Sequence, residues 1–122
     1  MTGGGGRFLQ FNCTGIQHCH SELEDYLHKN HVQVACIQEI KLRPGSTVKD
    51  FSDYAMVRPQ ARQGGMGWYG RLLTLIYHSV PFSKPDDVLL PNDDTAETLL
   101  VTVSLGVADL CVLNIYMPPA TS

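Results

Sequence analysis

A short apolar run that ends in a carboxylate constrains this chain more than any other stretch. The run is Val32-Gln-Val-Ala-Cys-Ile-Gln-Glu39, and it contains neither glycine nor proline. Such a run predicts a buried strand. Glu39 comes where that strand leaves the core, and chemistry in proteins concentrates in the loops at strand ends. The run therefore predicts a carboxylate presented at one edge of a sheet.

A second run of the same design lies upstream. Arg7-Phe-Leu-Gln-Phe-Asn12 delivers Asn12 at its end, before Thr14-Gly15 stops it. A helix between the two runs would make the two strands parallel, so that their last residues share one edge. Asn12 and Glu39 can then converge, and an amide oxygen with one carboxylate is a typical partial ligand set for Mg²⁺. Taken singly, Asn12 also fits a turn residue and Glu39 a solvated strand end.

The helix between these runs is predicted from a capping pattern. Ser21-x-x-Glu24 has the spacing of a capping box, and Leu23 and Leu27 lie one turn apart. We therefore expect a helix that Ser21 caps.

The remaining strands are predicted from β-type composition between turn signals. They are residues 54–57, 72–77, 98–105 and 110–116, and residues 106–109 form a hairpin turn. Strands outnumber helices too heavily for a doubly wound fold, so we expect an α+β fold with one mixed sheet and helical cover. Residues 1–6 form a flexible Gly-rich lead-in, and the domain covers residues 7–122.

Composition narrows the functional classes. The 122 residues suit one small domain, and a hydrophobic content of 43% suffices for a core. The net charge of −3, without a run of Lys or Arg, weakens phosphate binding by Coulomb attraction, although a metal ion can supply positive charge at a site. No apolar stretch approaches the ~18–20 residues that span a bilayer. Four cysteines without a signal peptide favour an intracellular setting, cytoplasm or nucleus.

Two further patterns match known sites only in part. Gly65-Met-Gly-Trp-Tyr-Gly70 has the letters of a dinucleotide-binding loop, but that loop joins a strand to a helix, whereas a β-type run follows here. We expect these glycines to serve a turn. Several cysteines and histidines lie close together in the sequence, as in a zinc site. Their spacing lacks the paired ligands, such as C-x-x-C, that structural zinc sites use, so we interpret the histidines as ordinary surface residues. The set is Cys13, His18, Cys19, His20, His28 and His31.

Three motifs, in order, carry a family resemblance. They are Phe8-Leu-Gln-Phe-Asn-Cys-Thr-Gly-Ile16, Val34-Ala-Cys-Ile-Gln-Glu39 and Val112-Leu-Asn-Ile-Tyr-Met-Pro118. They resemble the endonuclease/exonuclease/phosphatase superfamily, and above all the apurinic-type endonuclease domain of non-LTR (LINE-like) retrotransposons.

The resemblance implies a Mg²⁺- or Mn²⁺-dependent phosphodiesterase that nicks DNA. It implies that Glu39 binds the metal, that Asn12 organises the metal and the scissile phosphate, and that Tyr116 hydrogen-bonds the phosphate. It further implies one half of a four-layer αββα sandwich. By itself, Tyr116 also fits an amphipathic tyrosine at the edge of a core.

The chain also departs from the family pattern. It has no Asp-x-Asn, and no histidine follows His78, whereas the family carries Asp-x-Asn and Ser-Asp-His motifs in its second half. We therefore expect the chain to be catalytically incomplete, to hold metal weakly, and to need a missing C-terminal half or another protein to cover its sheet. Three hypotheses stay open: an incomplete endonuclease, an endonuclease completed by a longer reading frame, and a non-catalytic interaction module.

Overall fold

The computed structural model describes residues 7–42, 47–59, 71–85 and 96–117. The strands of these residues lie in two sheets, ordered β1-β2-β4-β3 and β5-β6-β7. The α+β class is confirmed, but two sheets replace the expected single mixed sheet. The elements are β1 (Phe8–Asn12), α1 (Ile16–Lys29), β2 (Val34–Gln38), β3 (Tyr54–Val57), β4 (Leu72–Tyr77), β5 (Phe82–Ser83), β6 (Glu97–Ser104) and β7 (Asp109–Tyr116). Residues 1–6 and 65–70, which carry the predicted lead-in and the glycine motif, lie outside the described residues.

The first sheet is mixed, and the two strands that flank the helix are parallel, as the sequence predicted. β1 and β2 are parallel, with Asn12 opposite Gln38. β4 runs antiparallel to both β2 and β3. The last residues of β1 and β2 therefore share an edge with the first residues of β4, because Gln38 also pairs with Leu72.

The helix begins at Ile16, well before Ser21, so the predicted capping box is wrong. Its N-cap is Gly15, which has φ 114° and makes no side-chain cap. The N–H groups of Gly15 and Ile16 instead donate to the carbonyls of Glu39 and Ile40, at 2.8 and 2.9 Å. Because the strand end satisfies these helix donors, no capping side chain is needed. No helix within the described ranges has the length and apolarity to cross a membrane.

The core has two layers, one on each face of the first sheet. Strands that are buried on both faces, as β2 and β4 are, need cover on both sides, and α1 covers only one. The second sheet covers the other face, and this explains why the strands divide between two sheets. The helix layer contains Ile16, Leu23, Leu27, Ala35, Ile37, Leu73 and Leu75. The layer between the sheets contains Val34, Val57, Leu72, Ile76, Leu99, Val101 and Val103.

The apolar side chains that stay exposed lie on edge strands, and not on the face of the sheet that was expected to need cover. The inner face of the first sheet is not bare, because β6 and β7 of the same chain pack on it. Large apolar side chains are instead exposed on the edge strands, β1 and β7. A cleft of about 470 Å³ lies between these strands. The exposed apolar residues that line this cleft, here called the open edge, are Phe8, Leu113 and Ile115.

Candidate active site

Glu39 follows β2 directly, and its side chain emerges at the predicted edge. Its side chain is 23% exposed. Its backbone has φ 56°, a left-handed conformation that a residue with a side chain adopts at a cost of roughly 1 kcal/mol or more. The hydrogen bond from Gly15 N–H to its carbonyl holds this conformation. The strand thus ends in a fixed bend that presents a carboxylate.

Tyr116, the last residue of β7, meets Glu39 from the second sheet. Its phenol lies close enough to the Glu39 carboxylate for the two side chains to interact by charge and hydrogen bonding. Burial raises the pKa of the Tyr116 phenol, and the charge and hydrogen bond of Glu39 raise it further. The structure therefore brings together two of the three predicted site residues, which are far apart in the sequence.

Asn12 lies at the neighbouring strand end, but its amide oxygen points into its own turn. Oδ1 accepts hydrogen bonds from the backbone N–H of Thr14 at 3.2 Å and from the Thr14 hydroxyl at 3.3 Å. This is the short-range pattern in which Asn stabilises a turn. Asn12 is exposed, so it shares the edge with Glu39 while its oxygen is engaged with Thr14.

Two charged residues of the site were missed by the sequence reasoning. Glu97 lies opposite Tyr116 in the β6–β7 register and is only 5% exposed. Its Oε2 accepts from the N–H groups of Arg71 and Leu72, at 2.8 and 3.1 Å. The Arg71 guanidinium carbon lies 5.6 Å from the centre of the Tyr116 ring, within cation–π range. Burial raises the pKa of Glu97, while the N–H bonds and the charges of Arg71 and Arg58 oppose this rise.

A buried amide pair lies beneath the site and joins the sheets. Nε2 of Gln38 donates to Oδ1 of Asn114 at 2.7 Å. Asn114 is 1% exposed and is saturated by further bonds from its Nδ2. Those bonds reach Ile37 O at 3.3 Å, Leu73 O at 3.2 Å and Thr74 Oγ1 at 3.3 Å. A polar residue inside the apolar run of β7 was the signal that could have revealed Asn114.

The oxygen atoms at this edge supply only part of the ligand set that a metal ion needs. Glu39 supplies an accessible carboxylate, which lies 3.9 Å from Lys41 Nζ. The Glu97 carboxylate is engaged with backbone donors. Across the described part of the chain, no group of three or more His, Cys, Asp or Glu side chains is arranged to hold a metal. Mg²⁺ accepts one or two carboxylates and keeps its waters, so Glu39 with Asn12 fits such an ion weakly.

The thiol and imidazole set forms no zinc site, and one of its histidines is buried. His20 packs on Phe51 with 4.1 Å between ring centres. Its Nε2 lies 2.8 Å from the Asp50 carbonyl, so the ring fastens α1 to the segment before β3. Because these contacts need a buried ring, the expectation of a surface histidine is wrong for His20. The glycine motif precedes β4, a strand rather than the helix that a dinucleotide loop requires.

The solved structures similar to this chain include two endonucleases. The endonuclease domain of TRAS1, a telomere-specific non-LTR retrotransposon, matches with a TM-score of 0.70 and 17% identity, over 96% of this chain and 48% of that chain. The AP endonuclease LMAP from Leishmania major matches with a TM-score of 0.63 and 18% identity, over 91% of this chain and 40% of that chain. No family model and no curated protein sequence matches.

The chain thus spans less than half the length of each of these solved structures. The chain therefore shares the fold of these two endonuclease structures over the part that it spans, and the resemblance drawn from its motifs is confirmed at the level of the fold.

Proposed function

We propose that this chain carries one half of a metal-dependent active site for phosphodiester hydrolysis in DNA. The observation that carries the proposal is the contact between Glu39 and Tyr116. It joins two different sheets at the edge where the parallel strands β1 and β2 end. A carboxylate and a phenol so placed suit one side of a phosphate site, and action on DNA implies work in the nucleus or cytoplasm.

Each residue has a separate task in this proposal. Glu39, with Asn12 beside it, would hold Mg²⁺ or Mn²⁺. The bound metal supplies positive charge that offsets charge developing on the phosphate during hydrolysis. With the Glu39 carboxylate turned to the metal, the single O–H of Tyr116, protonated at neutral pH like any tyrosine, would be free to donate a hydrogen bond to a phosphate oxygen. In this proposal none of these three residues activates the attacking water.

The open edge supports completion by a second polypeptide half. Phe8 is 46% and Leu113 is 44% exposed, on two strands that each have one free edge. Exposed apolar strands at free edges favour pairing and burial against further structure. The proposed occupant carries the Asp-x-Asn and Ser-Asp-His motifs that this sequence lacks. The general base comes from that half.

Nicking of supercoiled plasmid DNA tests the proposal. We expect no Mg²⁺-dependent nicking by the 122-residue chain, and nicking once the second half of such an endonuclease domain is fused to it. Glu39→Ala in the fusion should lower the rate by two or more orders of magnitude, on the scale of a lost group that acts on the transition state. Nicking by the chain alone that Glu39→Ala abolishes would contradict catalytic incompleteness, and nicking by the fusion that survives Glu39→Ala would contradict the site.

A second candidate function is a non-catalytic interaction module, which the open edge also favours. The double variant Leu113→Glu, Ile115→Glu separates the two candidates. These side chains point away from the sheet interface, so the fold should persist. If completion by the second half is the role of this surface, the variant abolishes nicking by two separately produced halves. If the chain is instead a non-catalytic interaction module, joining it to the second half never gives a protein that nicks DNA.

A further inference from the structure

Negative charge at the proposed site opposes the approach of a DNA phosphate. The chain carries a net charge of −3, and two carboxylates, Glu39 and Glu97, lie at the candidate active site. A DNA phosphate brought to this edge is repelled unless nearby cations offset these charges. Among the described residues, Lys41 is paired with Glu39 at 3.9 Å, and Arg71 and Arg58 act by charge on Glu97. Of these two arginines, Arg71 is exposed and Arg58 is half-buried.

Arg71 is fixed beside the site by its backbone. Its N–H donates to the buried Glu97 carboxylate at 2.8 Å. Its carbonyl accepts from the N–H of Ile40, the residue after Glu39, at 3.3 Å. These two bonds tie the Arg71 backbone to both sheets and so fix its position relative to the residue after Glu39.

The side chain of Arg71 is placed for contact with an anion. Arg71 is exposed, and its guanidinium lies 5.6 Å from the centre of the Tyr116 ring. A guanidinium over an aromatic ring still has N–H donors in its own plane, and these match the oxygens of a phosphate in a bidentate geometry. The ring holding Arg71 also bears the hydroxyl that contacts Glu39.

We propose that Arg71 is a phosphate-binding residue of the candidate active site, where its guanidinium, backed by the Tyr116 ring, receives a phosphate of the DNA backbone. The inference rests on the proposed action on DNA. It adds a residue that the predicted set of Asn12, Glu39 and Tyr116 does not contain. Glu97 is then a positioning residue, because it holds the Arg71 backbone without touching the substrate.

Salt-dependent DNA binding by the full chain, in EDTA and without a second half, tests this assignment. The probe is a short, fluorescently labelled DNA duplex, followed by anisotropy over a series of NaCl concentrations. R71Q should weaken binding about tenfold and reduce the slope of log K against log salt by about 0.9, the value for one lost phosphate contact. R71K, which keeps the charge, should keep the slope.

Arg7 offers a control matched in charge. It is exposed and lies ahead of β1, at the opposite end of that strand from Asn12, with its guanidinium donating to the Asn30 carbonyl at 3.2 Å. R7Q removes the same charge as R71Q and should keep the wild-type slope. Equal effects of R7Q and R71Q, an unchanged slope in R71Q, a reduced slope in R71K, or no DNA binding by the wild type would overturn the inference.

The binding experiment and the nicking experiment test the two proposals independently, so that either proposal can be rejected without the other. Loss of nicking with intact, Arg71-dependent binding rejects hydrolysis and leaves the phosphate contact standing. Nicking by the completed domain with a salt slope that does not depend on Arg71 rejects only the contact.

Discussion

The side chain of Gln38 donates to that of Asn114 across the interface between the two sheets, at 2.7 Å and away from water. Gln38 is the residue before Glu39, and Asn114 lies two residues before Tyr116. This amide pair therefore sets how the strand that carries the carboxylate meets the strand that carries the phenol. The candidate active site inherits its geometry from a polar contact in the core.

Removing that contact should destabilise the fold strongly. Asn114→Ala removes one acceptor from the Gln38 amide, which keeps its bond to the Cys36 carbonyl, and removes a donor from the buried Ile37 and Leu73 carbonyls. An unsatisfied buried polar group costs about 1–3 kcal/mol, so we expect the free energy of unfolding in urea to fall by about 2–4 kcal/mol. Gln17→Ala removes an exposed amide of α1 and should change it by less than about 0.5 kcal/mol. Equal losses in the two variants would refute this account.

Lys41 competes with a metal ion for Glu39. Its Nζ lies 3.9 Å from the Glu39 carboxylate and is largely exposed. Lys41→Met should raise Mn²⁺ affinity about two- to fivefold, since exposed ion pairs contribute less than about 1 kcal/mol. Titration calorimetry measures the change. The control, Lys29→Met, breaks an exposed pair with Asp25 on α1 and should leave the affinity unchanged; a matching rise there would mean that overall charge is responsible.

The cysteines should differ widely in reactivity. Burial raises the pKa of the Cys13 thiol to about 11 from its usual 9.0, whereas Cys111 is exposed. A rise of two units leaves on the order of 100-fold less thiolate at pH 8. Iodoacetamide should therefore label Cys111 rapidly and Cys13 hardly at all, as peptide mass spectrometry would show. Comparable labelling of Cys13 in the folded chain, with Cys111→Ser as the control, would be the contrary result.

Tyr54 should make the chain less stable at high pH. Burial raises the pKa of its phenol to about 12 from 10.0, with smaller effects from Tyr77 and Asp53. The folded state thus favours the protonated phenol, whose hydroxyl donates to the Leu27 and Val32 carbonyls. This stabilisation is complete below pH 10 and is lost as the pH rises through about 12.

The variant Tyr54→Phe isolates that effect, because the other titrating groups are common to both proteins. The difference in unfolding free energy between wild type and variant should be constant below pH 10. It should then shrink toward pH 12. Urea titrations at successive pH values measure it, and a difference that stays constant over this range would show that the Tyr54 phenol does not ionise as inferred.

The sequence by itself determined most of the strands. β3 and β4 begin and end where composition and turn residues predicted, and β1, β2, β6 and β7 differ only at their ends. Apolar runs between turn residues are a local signal, so they can be detected without knowing the partners of each strand. The same local logic placed Asn12 and Glu39 at one edge, because a helix crossover makes their strands parallel.

Tertiary structure decided what local patterns do not encode. The helix starts at Ile16 because the carbonyls of Glu39 and Ile40, distant in sequence, satisfy its first N–H groups. The strands divide into two sheets because β2 and β4 are buried on both faces, while the helix covers only one. Glu39 meets Tyr116 only through the packing of one sheet on the other, since the contacts between sheets depend on how the strands are placed and not on composition.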